Sequence, residues 1–447
     1  MSSPFYRLQQ IPTLALLLAG AVFTQAAAAA DLRLITLDPG HFHAALFYKE
    51  RLPGVSETVH VYAPLGPDLL SHLNRLAQFN SRVEQPMQWR LEVHAGPNPL
   101  DRLLADRPGD VAVLSGRNLG KIERINALAR AGLHVLADKP WIIDAADFPK
   151  LETGLAAAAQ NGVAVFDAMT ERFEITYLLQ RALVNDPDVF GQPLRGGPTN
   201  PAVRLTSLHY LFKEVAGVAA LRPAWFFDIR QQGEGLADVG THLVDLVQWT
   251  LFPNQALDYR GDIKIQHASR SPANLTREQF QRVTGDKEFP AYLRDALKPG
   301  GLEYFANDSV SYSVRGISVR VEVRWDFEEP PGQKECQAAI YGGSRSRIEV
   351  LKGRAEGYRP EVYVVPNQVE DESAVRAALQ RWLERQQATY SGLAIAGEAG
   401  RFRLLIPEAL RVGHEDHFAL LVRQFLGYAR APRSIPSWER PNMLAKY

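Results

Sequence analysis

Three side chains set the reading of this chain of 447 residues: Lys139, Asp238 and His242. Lys139 closes the segment Leu136-Ala-Asp-Lys-Pro140, an apolar run that stops abruptly at a proline. A lysine at a strand end ahead of a proline turn projects into a crevice, where loss of hydration lowers its pKa. Asp238 and His242 are four residues apart in Asp238-Val-Gly-Thr-His-Leu-Val-Asp245, so a helix puts both on one face. Ammonium, carboxylate and imidazole are the parts needed to move a hydroxyl proton while a hydride leaves the carbon beneath. In that scheme Lys139 and His242 handle protons, and Asp238 orients His242 and tunes its pKa. Asp245 reads as a structural hydrogen-bonding residue.

A second polar group lies near the start. Asp38-Pro-Gly-His-Phe-His43 follows an apolar run, and His-x-His beside a carboxylate is a donor set that binds zinc or another divalent cation. Asp38, His41 and His43 are therefore candidate metal ligands, with His242 or His209 to complete the shell. His414-Glu-Asp-His417 lacks the zincin spacing and reads as a helix N-terminus. Ahead of the Asp238 segment lie His209, Tyr210, Lys213, Trp225 and Arg230, rings and polar groups that suit a carbohydrate. His209, Lys213 and Arg230 are the candidate substrate contacts.

The elements that must position these groups alternate strand and helix. Runs at 32–37, 58–62, 88–94, 110–114, 134–137 and 163–166 read as strands, and 40–50, 68–79, 121–131 and 147–161 as helices. This is the pattern of a parallel sheet covered on both faces, an α/β class. After Asp167 the texture changes to strands at 202–209, 263–268, 309–327, 335–341 and 347–351, with 319–325 alternating apolar and charged. Helices are expected over 370–387 and 415–429, the second returning to the first domain. The division is a Rossmann-like domain over 31–166 and an α+β domain with an open, mostly antiparallel sheet over 167–447.

Residues 1–30 read as a Sec-type signal peptide: Arg7 ahead of an apolar stretch from Ile11 to Phe23, then small-residue cleavage sites up to Ala30. The apolar core is short for a membrane span, so a soluble periplasmic or secreted protein starting near Asp31 is expected, without stable membrane insertion. Fifty basic and fifty acidic residues cancel, which leaves no electrostatic basis for a nucleic-acid partner. The single cysteine, Cys336, excludes an intrachain disulfide and any cysteine-based metal cage.

Ala131-Gly-Leu-His-Val-Leu-Ala-Asp-Lys-Pro140, Met169-Thr-Glu-Arg-Phe173 and Gly233-Glu-Gly-Leu-Ala-Asp-Val-Gly-Thr-His242 together resemble the Gfo/Idh/MocA oxidoreductase family. Trp225 to Trp249 resembles its subgroup with a distinct oxidoreductase C-terminal domain. The resemblance implies bound NAD or NADP, a sugar or glycoside substrate, and Lys139, Asp238 and His242 as the catalytic trio. It places Gly40, His41, Phe42, His43, Asn118, Asp138 and Lys139 against the cofactor, and its exposed sheet implies a homo-oligomer. Asp138 stands where the family has Glu. The first turn keeps only Gly40 of Gly-x-Gly-x-x-Gly, which normally lets backbone approach a pyrophosphate, and the second strand ends in Tyr62-Ala-Pro64 rather than an acid. The leading expectation is an exported NAD(P)-dependent sugar oxidoreductase, possible also as a redox-neutral enzyme with self-recycled cofactor. The alternatives are a metal-dependent hydrolase or lyase on Asp38, His41 and His43, and a non-catalytic carbohydrate-binding protein.

Overall fold

The computed structural model describes residues 31–215, 218–397 and 400–447. The expected signal segment lies outside them. Among the described residues, no helix is long and apolar enough to cross a membrane.

The first sheet has six parallel strands: β1 (Leu32–Leu37), β2 (Val55–Ala63), β3 (Arg90–Ala95), β4 (Val111–Leu114), β5 (His134–Ala137) and β6 (Val165–Asp167). Their spatial order is β3-β2-β1-β4-β5-β6, so the direction of winding reverses between β1 and β4. Strands buried on both faces must be apolar throughout, and every residue of β4 is buried. The crossovers carry α1 (His43–Leu46), α2 (Pro67–Ser81), α3 (Pro99–Asp106), α4 (Lys121–Arg130) and α5 (Phe148–Gln160). The expected helix over 40–50 shrinks to the four residues of α1. Its apolar residues lack an amphipathic repeat, and Phe47 and Tyr48 turn straight into the core.

After α6 (Ile175–Val184) the chain builds a sheet of ten strands around β7 (Val203–Phe212). The neighbours of β7 are Ile317–Glu328, parallel to it, and Cys336–Gly342, antiparallel; the other pairings are antiparallel. The strand Gly301–Val314 alternates buried and partly exposed residues over its full length, as a one-faced sheet requires. Its buried side carries α7 (Thr241–Leu251), in a core that holds Leu243, Leu246 and Val247 with Val319 and Val321.

The 31–166 and 167–447 units are not both continuous in space. Phe418, Leu421, Val422 and Phe425, from the helix His414–Arg430, pack into the same cluster as Leu34, Val59 and Val111. Met443, from the terminal helix Glu439–Lys446, packs with Ile35 and Leu37. Residues 414–447 thus complete the first domain, because its two faces present more apolar surface than its own helices cover.

A buried charge cluster fastens this return. Lys446 Nζ lies 2.6 Å from Asp167 and 3.2 Å from Asp245, and Arg172 holds Asp245 through two bonds and Glu439 through two more. Burial alone would raise the Asp245 carboxyl, but the charges of Arg172 and Lys446 hold it at about 2. Glu439 moves the opposite way, pushed up by burial against the pull of Arg172, with the Asp245 charge adding to the rise. Two cations serve three carboxylates here, so Glu439 is the acid that yields. Asp245 is ionised in the fold below the pH at which it ionises in the unfolded chain, so its contribution is complete above about pH 4 and is lost on acidification toward pH 2. The expected size is about 2 kcal/mol. Urea midpoints measured from pH 5 to pH 2 should fall, and fall less in Asp245→Asn; parallel curves would mean the pair carries no linkage.

Candidate active site

Lys139 leaves the end of β5 and crosses to the second domain. Its Nζ donates to Asp238 Oδ1 at 2.6 Å and to the Asp238 carbonyl at 2.8 Å. Asp238 lies in a five-residue π turn, Leu236–Gly240, which widens the entry to α7. Gly235 makes that turn possible: a Cβ there would sit 2.0 Å from the Ala306 carbonyl oxygen. Burial favours the neutral amine, but the charges of Asp238 and Asp138 outweigh it and raise Lys139. The expected lowering is thus corrected: Lys139 rests as an ammonium, because desolvation brings two carboxylates with it. Asp238 is raised by burial but lowered more by Lys139, and stays ionised.

His242, in the first turn of α7, is a different group from the one its spacing suggests. Asp238 binds Lys139, and His242 Nδ1 is buried with no partner. Burial and then the Lys139 charge push the imidazole well below its ordinary pKa, so it stays neutral. The four-residue spacing fails as an orienting contact because the π turn rotates Asp238 away from the α-helical register.

Asp138, beside Lys139, faces the β1–α1 turn. Its Oδ2 lies 2.7 Å from His41 Nδ1 and 3.1 Å from His43 Nδ1, and accepts from Ser115 Oγ at 3.0 Å. Burial opposes ionisation of Asp138, but His43 and His41 hold its carboxyl well below the usual range. Burial lowers His43 to about 4 despite the Asp138 charge, so that ring is neutral at neutral pH. Asp38 is not in this group: it turns aside in a left-handed conformation (φ 47°) and pairs with Arg124 at 3.5 Å. The carboxylate that meets the histidines is Asp138, 97 positions from His41 and 95 from His43, which only the β1/β4/β5 adjacency supplies. Phe42, between the two histidines, is 42% exposed.

The remaining expected contacts separate. Asn118 is spent on the domain junction: its amide donates to Gln232 O at 2.6 Å, and its Oδ1 accepts from Lys121 Nζ at 2.5 Å. Burial pushes Lys121 down to about 8. Gly40 lies at the switch point, where a Cβ would come within 3.2 Å of the Trp225 ring and 3.3 Å of Gly116 Cα. Arg230 is turned to the surface, held by Asp228 and the Tyr292 carbonyl, away from Lys139. His209 and Lys213 share one partner, Glu335, at 3.1 and 2.5 Å. The histidine's other nitrogen lies 2.6 Å from Ser207 Oγ, so His209 does not complete the His41/His43 group.

The wall beside Asp238 is built from residues that carried no sequence signal. Arg222 is half-buried over the rings of Phe226 and Trp325, with Asp238 and Tyr304 among its charge neighbours. Tyr304 Oη and Trp325 Nε1 are buried without hydrogen-bond partners. Glu171 is pushed up to about 7 by burial and the neighbouring Glu174 charge. These groups come from four separate segments with no spacing to connect them; a buried-side Tyr in the alternation of 301–314 is the one hint available.

A parallel sheet that reverses winding at β1/β4 opens onto an antiparallel domain through a lysine–aspartate pair, which makes the class a two-domain α/β protein with its crevice at the switch point. The chain belongs to the Gfo/Idh/MocA oxidoreductase family: residues 179–447 match the family described as "Putative oxidoreductase C terminal domain". It is similar to a protein from Parabacteroides merdae ATCC 43184, described as "a putative oxidoreductase", with 40% identity, TM-score 0.91, and coverage of 94% of this chain and 95% of that one. GenD2 from gentamicin A biosynthesis, solved in complex with NAD, shares the fold at 16% identity and TM-score 0.56, covering 96% and 94%. KijD10, a 3-ketoreductase from Actinomadura kijaniata solved with NADP and TDP-benzene, does so at 15% identity and TM-score 0.54, covering 93% and 95%. No curated protein matches significantly.

Asn118→Ala should destabilise the fold by about 1–3 kcal/mol, since it strips the Gln232 contact and leaves the Lys121 amine one acceptor short. Thermal unfolding checks this; an unchanged midpoint would return Asn118 to a ligand-binding role.

Proposed function

We propose that this protein is an exported oxidoreductase that oxidises or reduces a sugar or glycoside with NAD or NADP. The observation that carries the reading is the Lys139–Asp238 ion pair beside a neutral His242 whose Nδ1 has no partner. An ammonium and a neutral imidazole at one crevice form a donor and an acceptor, the two functions a hydroxyl–carbonyl interconversion needs.

A dinucleotide would lie at the switch point, where Gly40 and Gly116 let the turns after β1 and β4 pack closely; a Cβ on Gly116 would meet the Asp38 carbonyl at 2.4 Å. The N–H groups of Gly40 and His41 both donate to the Ser115 carbonyl, so the turn does not offer them to a diphosphate. Arg117, stacked on Trp225 just beyond β4, is the cation we assign to that charge. The NAD and NADP of GenD2 and KijD10 support the same choice of group. When bound, the nicotinamide supplies the hydride acceptor or donor.

The chain's own residues then divide the work. His242 takes the hydroxyl proton during oxidation and returns it during reduction. Lys139, fixed by Asp238, donates a hydrogen bond to the same oxygen as negative charge develops on it. Tyr304 Oη and Trp325 Nε1 have unspent hydrogen-bonding capacity that a polyhydroxylated ligand would use. KijD10 is described as a 3-ketoreductase, which supports hydroxyl–carbonyl chemistry here. Export follows from the N-terminal segment and is tested by sequencing the mature N-terminus, expected near Asp31 in the periplasm or medium.

Titration of the purified protein with NAD+ and NADP+, followed by nicotinamide release on denaturation, tests the cofactor. Saturable binding of one dinucleotide per chain is expected, and neither bound nor carried dinucleotide would overturn the reading. With an active sugar in hand, Lys139→Met and His242→Ala should each lower kcat by about 10²–10⁴-fold. Their dinucleotide affinity should change little, whereas equal losses in both would make the residues binding groups.

A further inference from the structure

We infer that His41, His43 and Asp138 form a site for a borderline divalent cation of the zinc type, held at the switch point with one coordination position open to the crevice. The inference stands on the geometry of three side chains and does not depend on the oxidoreductase reading.

Two imidazoles and a carboxylate converge on one point from two elements. His41 Nδ1 and His43 Nδ1 face the same atom, Asp138 Oδ2, at 2.7 and 3.1 Å, and the three potential ligand atoms all lie within 4.8 Å of one another. The imidazole planes are nearly perpendicular, 77° apart with centroids separated by 4.3 Å, so their nitrogens approach the point from different directions. Ligands about 2.0–2.1 Å from a tetrahedral zinc are about 3.3–3.4 Å apart, so a few tenths of an ångström of opening admits the ion.

The surroundings fix the ligands as outer partners do in metal sites. The Lys139 backbone N–H donates to Asp138 Oδ1 at 2.9 Å, which leaves Oδ2 to face the histidines. Ser115 Oγ also reaches Oδ2, and the His43 ring is packed between His414 and Phe418, each 5.2 Å away. His43 and Asp138 are buried, whereas the His41 side chain is 38% exposed. Three protein ligands with one on the rim leave a fourth position for water or a substrate oxygen, the arrangement of catalytic rather than structural zinc. A nitrogen-rich set selects zinc, cobalt or nickel over magnesium and calcium, which require oxygen shells.

The test is isothermal titration of chelator-stripped protein with Zn2+, repeated with Co2+ for its visible absorption. One Zn2+ per chain with micromolar or tighter affinity is expected, with a Co2+ spectrum showing nitrogen ligation. His43→Ala and Asp138→Asn should weaken binding by roughly 100-fold or more and Ser115→Ala by roughly 10-fold. His41→Ala, at the partly exposed position, gives the same answer should the buried variants misfold. His60→Ala should leave the affinity unchanged; His60, Glu92 and His94 form another His/Glu group, between β2 and β3. No binding by the parent, binding that survives loss of His41, or binding lost only with His60→Ala would each overturn the site.

Discussion

The junction of the two domains depends on a pair of adjacent residues that face opposite ways. At the end of β5, Asp138 reaches back to the β1–α1 turn while Lys139 reaches across to Asp238. Neither charge is tolerable alone at this depth, and removal of one partner from a buried pair costs about 3–5 kcal/mol. The domain angle is therefore set by electrostatics as much as by packing: sliding one domain would strand an ammonium and a carboxylate. Burial, and after it the same fixed positive charge, keeps His242 neutral. Structural closure and the protonation state of the crevice share this ion pair as a cause.

That cause also explains which parts of the site were legible in the sequence. Lys139 was recoverable because a strand end before proline dictates where its side chain goes, and Asp238 and His242 because four-residue spacing marks one helix face. Their partners were not recoverable. The π turn at Leu236–Gly240 breaks the register that made Asp238 an orienting group, and no local pattern announces a π turn. Spacing alone offers Asp38 to His41 and His43, whereas the fold supplies Asp138. Strand order decides between them, since β1, β4 and β5 are adjacent and Asp38 leaves the turn in a left-handed conformation. The sheets themselves were visible as apolar runs and alternations, whereas Tyr304 and Trp325, on paired strands, meet the loop residue Arg222 only in the folded chain.

The turn after β1 shows how a fold can be kept while its usual device is replaced. A glycine-rich turn serves a diphosphate by leaving amides unpaired at a helix N-terminus. Here α1 is four residues long, and Ser115 takes two of those amides. Trp225, from the second domain, lies against the turn and donates to Asp68 at 3.2 Å. The space that backbone usually surrenders to a ligand is shared among an indole, two imidazoles and a carboxylate. Recognition at this end of the crevice passes from main chain to side chains, where single substitutions can alter it.

The return of residues 414–447 to the first domain has a consequence for how the molecule is made. Phe418, Phe425 and Met443 occupy core positions beside strands formed almost 400 residues earlier. Until they arrive, the parallel sheet has an uncovered apolar face, Asp167 lacks the Lys446 ammonium that faces it, and Asp245 has Arg172 alone. The amino-terminal half cannot mature as an independent unit while the rest is still being synthesised; it waits for the final residues. Such a chain matures all at once, with long-range closure as its last step, and a truncation of even a few carboxy-terminal residues acts on the domain farthest from them in sequence.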